Sequence, residues 1–182
     1  FDIQEMEVCL NSIGSAEIRP AYLKLLRRTL DKYRGDLCNT CETRLGKNAL
    51  RIFDCKNLMC QEILDIKAPC IFDSISADDR QHFDSVTCIL NAMGIPYKHD
   101  NKLVRGLDYY SHTTFEIISS SLGAQDALCG GGRYNGLIEQ LGGKQTPAVG
   151  FAAGVERLIL ALGKMEDLDS APDIYFITLG EN

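Results

Sequence analysis

The chain has 182 residues, of which 45% are hydrophobic and 24% charged, with a formal net charge of −6. That balance supports one large globular domain or two small ones and argues against nucleic-acid binding by bulk electrostatics. No apolar run approaches the roughly 20 residues of a membrane-spanning helix. The polar, acidic start Phe1-Asp2-Ile3-Gln4-Glu5 does not read as a secretory signal; lacking an initiator Met, it is expected to continue a longer protein.

Met6 to Asn11 read as a strand, with Met6, Val8 and Leu10 on one face. Turn residues follow, then a helix from near Arg19 or Pro20 to Tyr33, its stripe Leu23, Leu26, Leu30 and Tyr33, stopped at Gly35. Asp36 to Lys56 read as irregular, and Asn57 to Ile66 as a short helix ended before Pro69. Ser76, followed by Asp78 and Asp79, caps a helix running to Met93 with Phe83, Val86, Ile89, Leu90 and Met93 on its apolar side. From Tyr97 the texture changes to strands over 97–104, 113–119 and 126–131, an antiparallel meander with turns at Gly106 and near Gly123. Tyr134 to Leu141 read as a short helix and Thr146 to Ala152 as a short strand. Gly154 to Leu162 read as a helix apolar enough to be buried, and Asp173 to Leu179 as a last strand. Strands that enclose a run of helices indicate an α+β fold: an antiparallel sheet with flanking helices and a mainly helical insertion.

The eight cysteines, without a secretory signal, indicate a reducing compartment, the cytoplasm, rather than a disulfide framework. Cys38 and Cys41 form a CxxC, and Cys55 and Cys60 a wider pair, so four thiols have the ligand type of a structural zinc. The wider second spacing makes free thiols the default expectation. A local basic window includes Arg19, Lys24, Arg27, Arg28, Lys32, Arg34, Arg44, Lys47, Arg51 and Lys56, set against an otherwise acidic chain.

Three stretches combine arginine with glycine or tyrosine: Arg105-Gly106-Leu107-Asp108-Tyr109-Tyr110, Gly130-Gly131-Gly132-Arg133-Tyr134, and Gly150 to Arg157. Arginine offers a planar fork for carboxylate or phosphate, and glycine lets a ligand approach bare backbone. If the hexamer lies on a strand, its two tyrosines point to opposite faces. The glycine-rich stretch is not a phosphate loop of the GxxxxGK[ST] type, because no Lys-Ser/Thr follows. His82, His99 and His112 are scattered, and no nucleophile has an adjacent base. Any chemistry would rest on positioning and charge stabilisation, with Arg105, Arg133 and Arg157 converging on one cleft.

Together these stretches resemble the histidyl-tRNA synthetases, class II aminoacyl-tRNA synthetases. Leu103 to Tyr110 is similar to the first histidine-specific motif, Cys129 to Gly136 to the second, and Ala148 to Leu158 to class II motif 3. The resemblance extends through Leu10 to Ser15 and Asn48 to Asp54, and so covers nearly the whole chain. It implies a catalytic core over 1–13 and 99–170, a helical insertion domain over 14–98 that approaches tRNA, and the start of an anticodon-binding domain over 171–182. It implies a reaction in which ATP and histidine give histidyl-adenylate, followed by transfer to tRNA(His), with Mg2+ accompanying ATP. Arg105 would contact the α-phosphate and the substrate carboxylate. Tyr109, Tyr110 and Tyr134 would shape the histidine pocket, Gly131 and Gly132 would line it, and Arg157 with Gly154 would hold ATP. A homodimer is expected for the full-length protein. Motifs 1 and 2 have no match, so this stretch alone is expected not to charge tRNA. A non-catalytic paralogue, such as the regulatory subunit of ATP phosphoribosyltransferase, is the alternative; the intact Arg-Gly-Leu-Asp-Tyr-Tyr and Gly-Arg-Tyr stretches favour the enzyme.

Overall fold

The chain forms five strands, β1 (Met6–Ser12), β2 (Lys98–His99), β3 (Ser111–Ser119), β4 (Ala127–Arg133) and β5 (Val149–Ala153), with apolar alternation clearest in β1. The computed structural model describes residues 3, 5–123 and 126–163. The strand expected at Asp173 to Leu179, and the further domain expected from 171, lie outside the described residues. Across the sheet the order is β2-β1-β3-β4-β5. All neighbours are antiparallel except β2, which runs parallel to β1. The stretch 97–104 is therefore not the first strand of the meander. Only Lys98 and His99 pair, and beyond them the Asp100 carboxylate accepts the Lys102 N–H at 2.9 Å, turning the chain away.

Register gives each face its role. Leu10, Phe115, Gly131 and Phe151 form one cross-strand row, and Val8, Ile117, Cys129 and Ala153 the next. This face is covered by α4 (Ala77–Ala92), whose Val86 and Leu90 border an apolar cavity of about 450 Å³ with Val8, Leu10, Phe115 and Ile117. Ile89 and Met93, expected on the apolar side of α4, are exposed: the helix buries Asp79 and Phe83 and turns Val86 and Leu90 to the cavity, leaving these two outside it.

The N-terminus of α4 is a capping box. The Ser76 hydroxyl accepts the Asp79 N–H at 3.0 Å, and the Asp79 carboxylate accepts the Ser76 N–H at 3.3 Å. Burial pushes the Asp79 carboxyl up, but donation from Ser15 and Ser76 and the neighbouring His112 outweigh it and hold the group below its ordinary range. A depressed acid stabilises the fold above its unfolded pKa, and that stabilisation is lost as pH falls through the folded value. Asp79→Asn is thus expected to lower the melting temperature at neutral pH, with the gap from wild type closing in acid, read by thermal unfolding at stepped pH. Ser76→Ala is expected to cost about 0.5 to 2 kcal/mol in denaturant unfolding.

Between β1 and β2 runs a helical segment: α1 (Arg19–Leu30), α2 (Asn39–Lys47) and α3 (Leu58–Lys67), with 3₁₀ turns at Asp31–Asp36 and Ala49–Asp54. The region expected to be irregular contains α2, whose buried Cys41 and Leu45 lie four residues apart amid polar neighbours. α1 ends at Leu30, so Tyr33, expected on its stripe, falls in the Asp31–Asp36 turn; the stripe is Tyr22, Leu26 and Leu30, with Leu23 at its margin. These side chains join Ile13, Val104 and Tyr110 in one hydrophobic cluster, so the helices share a core with the segment leading to β3. After β4 come a single-turn helix α5 (Leu137–Gln140) and then α6 (Val155–Leu162). The expected burial of α6 is not found among the described residues: none of its side chains is buried, and Leu160 is 69% exposed. Phe151 on the neighbouring edge strand is 70% exposed. Apolar composition alone cannot say whether a covering layer is present. No helix among the described residues is long and apolar enough to cross a membrane.

Candidate active site

Residues 105–110 form a loop, not a strand. The alternation expected for consecutive tyrosines therefore fails: Tyr109 and Tyr110 lie ring against ring, centroids 4.6 Å apart. Tyr134, just beyond β4, meets both edge-on at 5.6 and 6.1 Å, closing an aromatic group of three. The loop is held from the helical segment. The Arg19 guanidinium donates to the backbone carbonyls of Asp108, at 2.8 Å, and of Tyr110. Asn48 donates through Nδ2 to the Asp108 carboxylate at 2.7 Å.

On the sheet face away from α4, β4 offers bare backbone to these groups. A Cβ on Gly130 would fall 2.5 Å from Nη1 and 2.7 Å from Cζ of Arg105, so the guanidinium occupies the space a side chain would take. A Cβ on Gly132 would meet the Thr113 carbonyl oxygen at 2.7 Å and the Tyr110 ring at 3.0 Å. Gly131 alternates onto the opposite face with Phe115, so only its backbone can border the pocket. Arg105 pairs with the half-buried Glu116 and stands 6.0 Å from the Tyr110 ring centroid. Burial raises the Glu116 carboxyl above its ordinary value, against the pull of Arg105.

Arg157, in the first turn of α6, donates to the Ala127 carbonyl at 2.8 Å and packs along Gly154. It shares with Arg105 a hollow of about 320 Å³ lined also by Glu116, Leu128, Gly130 and Gly154. The order along this face runs from Arg157, through Arg105, to the tyrosines. Two guanidinium groups converge there, not three. Arg133 falls on the α4 face, beside His82 and Val149, and donates through Nε to Asn135 at 2.9 Å. The reason is strand alternation: Arg133 lies an odd number of residues from Gly130 and Gly132.

Three residues of this arrangement escaped the sequence reading. Glu116 carries a faint signal, a lone acid between Phe115 and Ile117 in an apolar strand. Asn48 and Arg19 carry none, since their partners lie 60 and 89 residues away. Arg19 is also removed from the basic window by this role. Arg27 donates to the Leu45 carbonyl at 2.8 Å, and Arg34 and Arg51 pair with Asp31 and Asp54. Lys24, Arg28, Lys32, Lys47 and Lys56 are exposed and leave a smaller basic surface.

The sequence profile of the histidyl-tRNA synthetases matches residues 15–158. The chain belongs to the histidyl-tRNA synthetase family. A histidine–tRNA ligase of Halothermothrix orenii is 47% identical over 98% of the chain and 43% of its own length. One from Clostridium novyi is 45% identical over the whole chain and 43% of its own length. The chain thus spans less than half the length of these relatives. Among solved structures, the apo histidyl-tRNA synthetase of S. aureus superposes with a TM-score of 0.65 at 35% identity, covering 89% of this chain and 39% of that one. An ATP phosphoribosyltransferase regulatory subunit/histidyl-tRNA synthetase from Bacillus halodurans shares the fold at 21% identity, with a TM-score of 0.54.

Proposed function

We propose that this segment supplies the histidine-binding and phosphate-facing half of a class II catalytic centre that activates histidine with ATP and charges tRNA(His) in the full-length protein. The observation that carries it is the placement of the Arg105 guanidinium over Gly130, in one hollow with Arg157 and next to the three tyrosines. An anion lying over Gly130 would meet both guanidinium groups, and an imidazole lying toward Gly132 would meet aromatic faces and phenol hydroxyls. In the first step a histidine carboxylate oxygen bonds to the α-phosphorus of ATP and pyrophosphate leaves. In the second a terminal ribose hydroxyl of the tRNA attacks the acyl carbon and AMP leaves. Arg105 neutralises charge on the α-phosphate and fixes the attacking carboxylate; Arg157 with Gly154 holds the nucleotide; Tyr109, Tyr110, Tyr134, Gly131 and Gly132 define the amino-acid pocket.

Glu116 and, at the neighbouring rim, Asp126 present carboxylate oxygens, hard donors that suit a Mg2+ ion carried largely by nucleotide phosphates. Such an ion would supply further charge neutralisation at the phosphates. A cytoplasmic homodimer with the exposed basic side chains of the helical segment facing tRNA completes the reading. Histidine-dependent exchange of pyrophosphate into ATP by the full-length protein tests it. Its absence, with histidine still bound, would instead place the protein with the non-catalytic paralogues.

Because Arg19 holds the loop that carries Tyr109 and Tyr110, Arg19→Ala is expected to raise the histidine KM by roughly 10- to 100-fold, the worth of about one charge-assisted hydrogen bond, since Asn48 still holds Asp108. The ATP KM should stay near wild type. Equal weakening of both substrates would show that the loop is held by something else.

A further inference from the structure

The four thiols singled out by spacing come from three separate elements and meet. Cys38 precedes α2 and Cys41 lies in its first turn; Cys55 ends the second 3₁₀ turn; Cys60 lies in the first turn of α3. Their sulfurs all lie within 4.8 Å of one another, and Cys38 Sγ is 3.8 Å from Cys55 Sγ. A tetrahedral zinc with Zn–S bonds of about 2.3 Å separates its sulfurs by about 3.8 Å, so the observed spread needs only a small contraction. The sequence default of free thiols rested on the wide spacing of the second pair. Folding removes that objection, because the turn through Asn57 brings Cys60 back beside Cys55.

We propose that Cys38, Cys41, Cys55 and Cys60 bind a structural zinc ion that ties α2, the Ala49–Asp54 turn and α3 together. Backbone donors already point at the sulfurs: the Cys38 N–H at Cys60 Sγ, 3.2 Å, and the Asn57 N–H at Cys55 Sγ, 3.4 Å. Such donors relieve the negative charge of a tetrathiolate centre, and neutral thiols are weak acceptors that do not call for them. Cys41, Cys55 and Cys60 are buried while Cys38 is partly exposed, which leaves an entry for the ion on one side. The ligand set is complete without water, as in a closed structural site rather than a catalytic one, and soft sulfur donors select zinc over magnesium or calcium. Zn2+ displaces four thiol protons on binding, so no oxidant is required. Helices as short as α2 and α3 are marginal by themselves, and a four-point cross-link would fix their mutual positions.

The test is metal analysis of the full-length protein, produced with zinc and handled under reducing conditions. One zinc per chain is expected, retained in Cys70→Ser and Cys88→Ser and lost in Cys55→Ser. Since Cys55→Ser could fail to fold, wild-type protein is also stripped with a chelator and titrated with Co2+. Thiolate-to-cobalt charge-transfer absorption is expected, saturating at one ion per chain. Mass mapping of alkylation should show Cys38, Cys41, Cys55 and Cys60 protected in the zinc-loaded protein and modified after stripping, with the exposed Cys88 modified in both. Wild-type protein holding less than about a tenth of an equivalent and giving no cobalt–thiolate bands would overturn the proposal. So would zinc that survives Cys55→Ser, or a disulfide among the four under reducing conditions.

Discussion

Arg105→Ala in the full-length protein is expected to lower histidine-dependent pyrophosphate exchange by about a hundred- to a thousandfold, the usual effect of removing one positioned donor from a developing charge. The guanidinium is fixed from two sides, by the Gly130 backbone below it and by Glu116 beside it, so it reaches a ligand without first being ordered. Arg105→Lys keeps the charge but loses the planar fork, and should fall between Ala and wild type. Arg105 is outside the hydrophobic cluster, but the Ala variant leaves the half-buried Glu116 unpaired, so a lowered melting temperature is expected for Ala and a smaller change for Lys, with the loss of exchange measured on protein that remains folded. A loss confined to a few-fold in the Ala variant would mean that Arg105 serves only its ion pair with Glu116.

Adjacent glycines of β4 should fail in opposite ways. In Gly130→Ala the new methyl would lie 2.5 Å from the Arg105 guanidinium, the far end of a flexible side chain. The arginine can swing away, so exchange activity should fall toward that of Arg105→Ala while stability holds. In Gly131→Ala the methyl would lie 2.3 Å from the Gly150 carbonyl oxygen and 2.6 Å from the Phe151 Cβ. That contact is backbone against backbone on the other face, and it forces β5 off β4. A stability loss of about 1 to 3 kcal/mol is expected, as for overpacked cores. Activity would then fall through unfolding rather than through chemistry. Paired melting curves and exchange assays separate the outcomes, and like behaviour of the two variants would contradict the face assignment of β4.

Patterns with a short physical range were legible in the sequence. The Ser76 cap, the strand β3 and the stop at Gly94 depend on neighbours within a few residues, and they appear as expected, whereas Gly35 does not stop α1, which ends at Leu30 and passes into a 3₁₀ turn that contains the glycine. The pairing partner of the 97–104 stretch was not legible, because the choice between β1 and β3 is made by the Asp100 turn and by strands far away in sequence. The same holds for α6 and for Ile89, whose apolar character does not say what covers them. Within the site, Arg105, Gly130 and the tyrosines were recognisable as residue types suited to anions and rings. Their sidedness was not. Tyr109 and Tyr110 join one cluster because a loop frees them from strand alternation, and Arg133 leaves the cleft because a strand imposes it. Cys55 and Cys60 show the same limit, their spacing being informative only once the Asn57 turn is known.

The helix α1 has two working ends of a kind. Its first residue, Arg19, grips the carbonyls behind Tyr109 and Tyr110, while Lys24 and Arg28 further along it face outward. Whatever docks against that outer side and tilts the helix must drag on the aromatic loop. Were such coupling present, thermodynamic reciprocity would make a small molecule that tightens the loop alter the affinity of the docked partner by an equal factor. A partner that shifted α1 from that side would reach the aromatic loop through the Arg19 guanidinium, so Arg19→Ala would remove that route.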